Sequence, residues 1–517
     1  MSEQVRAAFA LLPAYLAGHV ALSAAALVLG LLVGLPLALA SARIPAVRLP
    51  ALGFASLVQT IPSLALLALF YPLLLALSAA ARAMSGHGFA ALGFLPSLLA
   101  LSLYALLPIL RNGVAGLTGL DPAVVEAARA VGMTPRQRLI QVEAPLAAPV
   151  VMAGVRTAAV WVIGAATLST AVGWTSLGDY IFSGLQTENW VLVLFGCGAS
   201  AALALITDGL LALVETGLAR RSRLRLALGG AGLLAGTVLA LAPLAAGAGG
   251  PKPYVIGAKN FSEQYILADL MSDRLKATGA RVVQRSDLGS VIAFRALAAN
   301  DLDAYVDYSG TLWTNVLHHA DTPPRPELLR RLTAELKARY GVTLLGPLGF
   351  ENAYVLAMKR DRANALHIVS LSDLAPRAPA LKLGSDLEFL SRPEWRALVG
   401  TYGLSFRAQT RYQPTFMYRA LEGGEADVIS AFSSDGRIAA DHLVALSDPM
   451  GAAPSYDAVI LLSPHSSADA RLRGALLPLV NRVPVQAMRA ANLTVDRDAD
   501  KLTPQQAAQA LAKAIGR

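Results

Sequence analysis

The sequence predicts a chain of two parts, an N-terminal all-α domain that crosses a membrane several times and a C-terminal α/β domain that lies in water. Of its 517 residues, 55% are hydrophobic, and the mean hydropathy of +0.51 is too high for an ordinary soluble protein. Residues 1–250 contain no lysine, whereas the remainder carries Lys, Asp and Glu at the density of a soluble domain. The two halves are therefore expected to face different solvents.

The first half contains apolar stretches long enough to cross a membrane. A helix of about 20 apolar residues spans a hydrocarbon core of about 30 Å, and such stretches lie near residues 14–40, 52–78, 90–110, 148–172, 189–217 and 226–247. The four arginines between Arg220 and Arg225 separate the last two stretches, and the positive-inside rule assigns them to the cytoplasm. Counting spans from this loop places residues 111–147 in the cytoplasm and everything after Gly247 outside.

A linker separates the membrane part from the α/β part. A Gly/Ala-rich joint followed by Pro251-Lys252-Pro253 marks it. We therefore expect a membrane domain over 1–225, the sixth span and linker over 226–252, and an extracytoplasmic domain over 253–517.

The periodicity of the chain changes at Tyr254. Tyr254 to Gly257 is a short apolar strand, and the amphipathic segment from Ser262 to Thr278 predicts a helix. Further strands are expected at Val282 and Ala304, separated by a helix. This alternation predicts parallel sheets with ligand sites at the strand ends.

Composition argues against several other functions. The net charge of +9 arises partly from arginines at the ends of apolar runs, which indicates membrane topology and no nucleic-acid partner. A single cysteine excludes a disulfide framework within the chain, and adjacent histidines such as His318 and His319 point about 100° apart on a helix and are poorly placed to share a metal. We see no nucleophile elbow, no acid/base carboxylate pair and no GxxxxGK[ST] phosphate loop. No enzyme activity, metal or cofactor is therefore expected, and ATP hydrolysis would need another subunit.

The cytoplasmic loop at about residues 121–147 contains a distinctive pattern. Glu126-Ala127-Ala128-Arg129-Ala130 is a strong helix former with small side chains that allow close approach, Gly132 can end it in a left-handed conformation, and Pro145 follows. An ordinary amphipathic connector is the alternative. The pattern resembles the EAA loop of ABC importer permeases, a helix, turn and helix that dock into the ATPase. The resemblance implies that Glu126, Ala127, Ala128 and Gly132 couple the permease to a separate ABC ATPase subunit, and that the permease works as a homodimer.

Four segments of the second half resemble, in order, the substrate-binding proteins of osmoprotectant importers for glycine betaine, carnitine and choline. They are Gly257–Ala268, Asp307–Thr311, Gly349–Tyr354 and Ser433–Ile438. The likeness runs through most of residues 254–517 and implies a two-lobed periplasmic-binding-protein fold. Together with the loop, it implies a permease fused to its own binding domain, in a bacterial cytoplasmic (inner) membrane and in contact with its lipid, with the C-terminal domain on the periplasmic side.

The chemistry of such a ligand suggests candidate binding residues. A quaternary ammonium has no N–H to donate, so aromatic faces attract it, whereas a carboxylate needs hydrogen-bond donors. By match to the motifs, the cage candidates are Tyr308, Tyr354, Phe432 and Tyr456. The candidates for the carboxylate lie where strands end and helices begin, and they are Lys259, Asn260, Gln264 and Thr311, with Asn352 and Asp435 as further polar candidates. A core role is the alternative for each aromatic residue.

Two departures from the family pattern leave the substrate open. Leu348 and Phe432 stand where relatives often have an aromatic residue and a tyrosine, respectively. A thinner cage would mean weak binding, or a ligand with its own ring such as the betaine ergothioneine. The expected function is ATP-driven import of a betaine-like solute. An ABC importer for amino acids, which needs a charged clamp for an α-amino group, and a membrane sensor, which has little use for the loop at Glu126, are the alternatives.

Overall fold

The computed structural model describes residues 3–86, 88–187, 189–246, 251–386, 389–412, 414–453, 455–497 and 499–516. The chain divides into two compact units. The membrane unit comprises Met1–Gly184 and Trp190–Pro251, and the α/β unit comprises Leu185–Asn189 and Lys252–Arg517.

The described helices of the first 250 residues are α1 (Glu3–Arg43), α2 (Pro45–Thr60), α3 (Ser63–Ser85), α4 (Phe94–Thr118), α5 (Pro122–Ala130), α6 (Pro135–Arg138), α7 (Ala144–Ala166), α8 (Gly178–Gln186), α9 (Trp190–Ala219) and α10 (Arg223–Ala246). Six of the described helical segments are long and apolar enough to cross a membrane, which confirms the expected number: Gln4–Arg43, Ser63–Ser85, Phe94–Thr118, Pro135–Val172, Trp190–Ala219 and Arg223–Pro243.

The second predicted span is displaced. The stretch 52–78 was expected to be one helix, but the chain breaks between α2 and α3 and the span runs over Ser63–Ser85. The cause is Pro62, because a proline disfavours helical backbone at the residue before it, and Ile61 is extended with φ −77° and ψ 126°.

Helices α1, α4 and α7 form the centre of the membrane unit. Leu22, Ile109 and Val162 are fully buried there. Gly30 and Gly34 of α1 let α4 approach closely, because a Cβ at Gly30 would lie 2.8 Å from the Cβ of Ala105. Small residues at such contacts let the helix backbones approach closely. Close packing of this kind stabilises helix pairs in a membrane, where the hydrophobic effect does not drive their association.

The α/β unit has two lobes, each built on a five-stranded sheet. The strands are β1 (Tyr254–Lys259), β2 (Val282–Leu288), β3 (Ala304–Tyr308), β4 (Thr343–Glu351), β5 (Tyr354–Lys359), β6 (Lys382–Ser385), β7 (Ala408–Arg411), β8 (Val428–Phe432), β9 (Leu443–Ala445) and β10 (Asp457–Leu462). Lobe one has the order β2-β1-β3-β10-β4, and lobe two has the order β7-β6-β8-β5-β9. This arrangement confirms the two-lobed α/β fold.

The helices of this unit are α11 (Ser262–Lys276), α12 (Ser290–Ala298), α13 (Ser309–Thr311), α14 (Arg325–Tyr340), α15 (Arg360–Leu366), α16 (Leu371–Leu374), α17 (Pro393–Tyr402), α18 (Pro414–Glu422), α19 (Arg437–Ala440), α20 (Ala470–Leu476), α21 (Val485–Asp496) and α22 (Pro504–Ala514).

The expectation of parallel sheets holds for only part of each sheet. Strands β1, β2 and β3 are parallel, as are β6, β7 and β8, but β10 is antiparallel to both neighbours and so is β5. The antiparallel strands adjoin the points where the chain crosses between lobes, at Asn352–Ala353 and again before β10.

Candidate functional site

The loop at Glu126 presents one face of a short helix to solvent. Asp121 caps α5 by accepting a hydrogen bond from the Ala123 N–H at 2.9 Å. Glu126 and Ala127 are exposed and Ala128 is buried. Gly132 has φ +81°, so it ends the helix in the left-handed region as the sequence predicts.

Glu143 connects this loop to the first span. Its Oε1 accepts from the Arg138 Nε and its Oε2 from the Arg43 Nη2, both at 2.6 Å, and only 7% of Glu143 is exposed. Arg43 is the last residue of α1, and residues 139–143 form a π-helical turn before α7. The sequence pattern gave no role to Glu143. The signal was a carboxylate beside arginines at the end of an apolar span.

Aromatic rings from both lobes meet in the α/β unit. Tyr354 and Phe432 pair across neighbouring strands of lobe two, with ring centroids 4.7 Å apart. Phe261 of lobe one lies 6.4 Å from Phe432 with nearly parallel planes, and 6.2 Å from Tyr308. These four residues are called the aromatic group below. Three of them were predicted, and Phe261 was missed although it follows β1 inside a quoted motif.

Tyr456, the fourth predicted cage residue, packs against residues outside the aromatic group. Its ring is 2% exposed and lies against Gly310, where a Cβ would come within 2.7 Å of the Tyr456 Cζ. Its hydroxyl donates a hydrogen bond to Glu394 of lobe two. The ring belongs to the core of lobe one, and its hydroxyl joins the two lobes.

Arg392 is a charged residue beside the aromatic group to which no sequence motif pointed. Its guanidinium carbon lies 5.1 Å from the centroid of the Tyr354 ring, and its Nη2 is 3.0 Å from Glu394 Oε1. Burial alone would raise the pKa of Glu394, but the hydrogen bonds from Arg392 hold that pKa below its usual value. Arg392, Glu394 and Tyr456 therefore form a connected polar group beside Tyr354.

The charge of Lys259 is already matched. Its Nζ lies 2.6 Å from Asp307 Oδ1, and both side chains are almost fully buried. The same ammonium lies 4.6 Å from the centroid of the Tyr308 ring. Lys259 therefore lies beside the predicted cage residue Tyr308, and both of these contacts are within lobe one.

Glu263 is a buried acceptor that sequence reasoning also missed. Its Oε1 accepts from the Tyr308 hydroxyl at 2.5 Å and from Asn352 Nδ2 at 3.0 Å, and its Oε2 accepts from Asn492 Nδ2 at 2.9 Å. Burial raises its pKa, and these hydrogen bonds oppose the rise. Gln264 Nε2 donates to the Tyr308 hydroxyl at 3.0 Å, so the three predicted residues Gln264, Tyr308 and Asn352 share one network.

The remaining predicted residues are placed differently. Asn260 is exposed and Thr311 is buried. Asp435 accepts from the Tyr418 hydroxyl at 2.5 Å and from the Arg437 N–H at 2.9 Å. Its side chain therefore belongs to a separate polar cluster. Within the described residues, no three His, Cys, Asp or Glu side chains are grouped so as to hold a metal.

Comparison with known families agrees with both halves of this architecture. Residues 252–514 match the substrate-binding domain of ABC-type glycine betaine transport systems, and residues 26–220 match the binding-protein-dependent transport system inner membrane component. The two matches define an importer permease fused to a binding domain. The chain belongs to the family of ABC-type glycine betaine substrate-binding domains, joined here to its permease.

Relatives cover either the whole architecture or the membrane part alone. The ergothioneine transport permease/ergothioneine binding protein EgtU of Helicobacter pylori (strain G27) is 29% identical over 84% of this chain and 77% of its own length. The choline transport system permease protein OpuBB of Bacillus subtilis (strain 168) is 38% identical over 38% of this chain and 83% of its own. A crystal structure described as a glycine betaine/carnitine/choline ABC transporter matches with a TM-score of 0.46 and 25% identity, over 50% of this chain and 98% of that one.

Proposed function

We propose that the chain is the permease and solute-binding subunit of an ATP-driven importer for a quaternary-ammonium or betaine-type solute. The candidate solutes are glycine betaine, carnitine, choline and a ring-bearing betaine such as ergothioneine. The observation that carries the proposal is the aromatic group, because Phe261 and Tyr308 come from lobe one and Tyr354 and Phe432 from lobe two. A solute held among these rings would attract both lobes at once, which couples binding to closure.

The polar half of a betaine is assigned to Arg392. Its guanidinium adjoins the Tyr354 ring of lobe two and pairs with Glu394, while the ammonium of Lys259 pairs with Asp307 inside lobe one. Arginine presents a planar set of donors that matches a carboxylate. Lys259, Asn260, Gln264, Thr311 and Asn352 would then support the site from its surroundings, whereas Asp435 stays with the separate polar cluster of Tyr418 and Arg437.

A titration of the full chain in detergent tests this assignment. Glycine betaine is compared with glycine, and hercynine, the trimethyl betaine of histidine, with histidine, so that each pair isolates N-methylation. Ergothioneine, which adds a sulfur to the ring of hercynine, is titrated beside it, and choline tests the need for a carboxylate. We expect the methylated member of a pair to bind at least about tenfold more tightly, since only it relies on aromatic faces. Equal or tighter binding of glycine or histidine would instead support an amino-acid importer.

We infer that the two units divide the work of transport. ATP hydrolysis belongs to a separate ATPase subunit that docks on Glu126, Ala127, Ala128 and Gly132, and two copies of the permease pair in the membrane. The membrane domain would occupy 1–225, the sixth span and linker 226–252, and an external binding domain 253–517. The arginines between Arg220 and Arg225 support this orientation. Reporter fusions test it, because one after Lys252 should be active only outside the cytoplasm and one at Arg136 only inside.

A further inference from the structure

Three charged side chains meet between two spans of the membrane unit. Arg156 of α7 donates from Nε and Nη2 to the two carboxylate oxygens of Asp208 on α9, each at 2.9 Å. Its Nη1 donates to Glu215 Oε2 at 2.7 Å. With one cation and two carboxylates, this charged triad carries a net negative charge.

The pair Arg156–Asp208 lies deep in the spans. At 1.5 Å of rise per residue, Arg156 is about 18 Å along the helix from Ala144, and Asp208 is about 17 Å from Ala219. Both positions fall near the middle of a hydrocarbon layer about 30 Å thick. Ionisable groups at that depth face a protein interior or a water-filled cavity, because lipid cannot solvate them.

The triad is nevertheless open on one side. About a third of each side chain in the Arg156–Asp208 pair is exposed, at 30% and 32%, and 23% of Glu215 is exposed. A groove of about 520 Å³ runs along this face of α7 and α9, with Thr157 and Trp161 beside Arg156 and Asp208. Trp161 is 48% exposed on this face.

We propose that this groove is a site in the translocation path that holds the cationic group of the solute within the membrane. An indole ring and an excess of negative charge are the two features that attract a quaternary ammonium in a partly dehydrated place. The two hydrogen bonds from Arg156 hold the Asp208 carboxylate in position. Glu215 supplies the excess negative charge. This inference rests on the proposed function, since it takes the solute to be a quaternary ammonium.

Cysteine accessibility tests the proposal in the full chain reconstituted in lipid vesicles. Cys197 is the only cysteine, so Cys197→Ser gives a thiol-free background. Thr157→Cys then places a thiol in the groove, and Val238→Cys places one on α10, where Val238 is 61% exposed in a span without charged residues near it. The probes are a trimethylammonium-ethyl thiosulfonate and its sulfonate counterpart, with rates normalised to those of a free thiol in solution.

We expect the cationic probe to label Thr157→Cys at least about tenfold faster than the anionic probe, because the negative triad concentrates cations. Val238→Cys should react with neither. Choline should slow the labelling of Thr157→Cys, while its uncharged carbon isostere dimethylbutanol should not. Glu215→Gln should reduce the charge preference several-fold and leave the Arg156–Asp208 pair intact.

Two results would overturn the inference. Thr157→Cys as unreactive as Val238→Cys would mean that the groove faces lipid or is covered by a second copy of the chain. Equal normalised rates for the two probes would mean a wet surface without preference for cations. The titration with glycine betaine and glycine is independent of these rates, so failure of the groove and failure of the proposed function are distinguishable.

Discussion

The hydroxyl of Tyr308 donates a hydrogen bond to the buried carboxylate of Glu263 at 2.5 Å. The same carboxylate oxygen accepts from Asn352, which lies where the chain crosses from lobe one to lobe two. Glu263 therefore fixes the position of the Tyr308 ring relative to Asn352 at the crossing between the lobes.

Removing this acid should destabilise the α/β unit. Glu263→Ala removes the acceptor of the Tyr308 hydroxyl and of the Asn352 amide, at a cost of roughly 1–3 kcal/mol for each unsatisfied group. Asn492 Nδ2 loses one of its two acceptors and keeps the Ser434 carbonyl at 3.0 Å. Glu263→Gln should cost less, because its amide keeps one acceptor oxygen and because the Oδ1 atoms of Asn352 and Asn492 have no hydrogen-bond partner among the described residues and can receive its N–H groups. Denaturant unfolding of both variants measures the difference. Equal losses for Ala and Gln would contradict an acceptor role for Glu263.

Phe432 offers the cleanest test of the aromatic group. It is only half-buried, whereas Tyr308 is 4% exposed and its truncation would open a cavity in lobe one. Phe432→Leu restores volume without a π face, so binding of glycine betaine should weaken by about 1–2 kcal/mol, roughly 5- to 30-fold. Titration and thermal melts on the same samples check this. Phe294→Leu, at a buried ring packed on Tyr340, is the control and should lower stability while leaving affinity unchanged.

The parts predicted from sequence are those set by local patterns. Apolar length predicted the six spans, and Gly132 predicted the left-handed turn because few other residues adopt φ +81°. The break before Pro62 was missed because hydropathy alone does not register a proline at a helix start. The antiparallel strands β5 and β10 were missed because strand direction depends on where the chain changes lobe, which periodicity does not contain.

The candidate site was predicted only where motifs ran through it. Tyr308, Tyr354 and Phe432 lie in or beside quoted segments, and the structure brings their rings together with Phe261. Arg392 reaches Tyr354 from the start of α17, about 40 residues further along the chain, and only tertiary packing brings the two side chains together. The ion pair between Lys259 and Asp307 was also not predicted, because the two residues lie on different strands, β1 and β3, that only the folded sheet brings together.

Glu126→Lys should separate transport from binding. The residue is exposed on α5 in the membrane unit, and reversing its charge places a cation on the proposed ATPase-docking face. Solute uptake by vesicles that contain the chain and its ATPase should fall at least tenfold, since a like-charge or unpaired contact at an interface costs several kcal/mol. Titration of the same variant should give an unchanged affinity. Lost affinity would contradict the division of work between the units.

Stability of the α/β unit should fall as the pH rises through the pKa of Asp496. Burial raises the pKa of Asp496 to about 6, against the pull of Arg437 and with Asp435 adding to the rise. The stability that the protonated acid contributes is fully present below the pKa of the unfolded chain, about 4. It is lost as the pH rises through about 6, and it amounts to at most about 3 kcal/mol.

Denaturant unfolding between about pH 4 and pH 7 measures this slope. Asp496→Asn keeps the shape of the side chain and removes the titration, so its stability relative to the parent should increase with pH. Glu425→Gln, at an exposed position of the same α/β unit, serves as the surface control. A slope that survives Asp496→Asn unchanged would assign the pH dependence to other groups, such as Asp269, whose pKa burial also raises to about 6.

Arg392→Gln should change which solutes bind. The guanidinium lies beside Tyr354 with an ion pair to Glu394, so it is positioned to meet a carboxylate while the rings meet the ammonium. Glycine betaine carries both groups and choline carries only the ammonium. Loss of a charged hydrogen-bond donor should weaken the binding of glycine betaine by roughly 1.5–3 kcal/mol, about 10- to 150-fold. The affinity for choline should change by less than about threefold, because its contacts are to the rings.

Arg437→Gln is the matched control, because this arginine pairs with Asp435 in the separate polar cluster and its loss should alter the affinities for both solutes equally. Parallel titrations with the two solutes give the ratio directly, and an equal loss for both in Arg392→Gln would mean that Arg392 supports Tyr354 and Glu394 without touching the carboxylate.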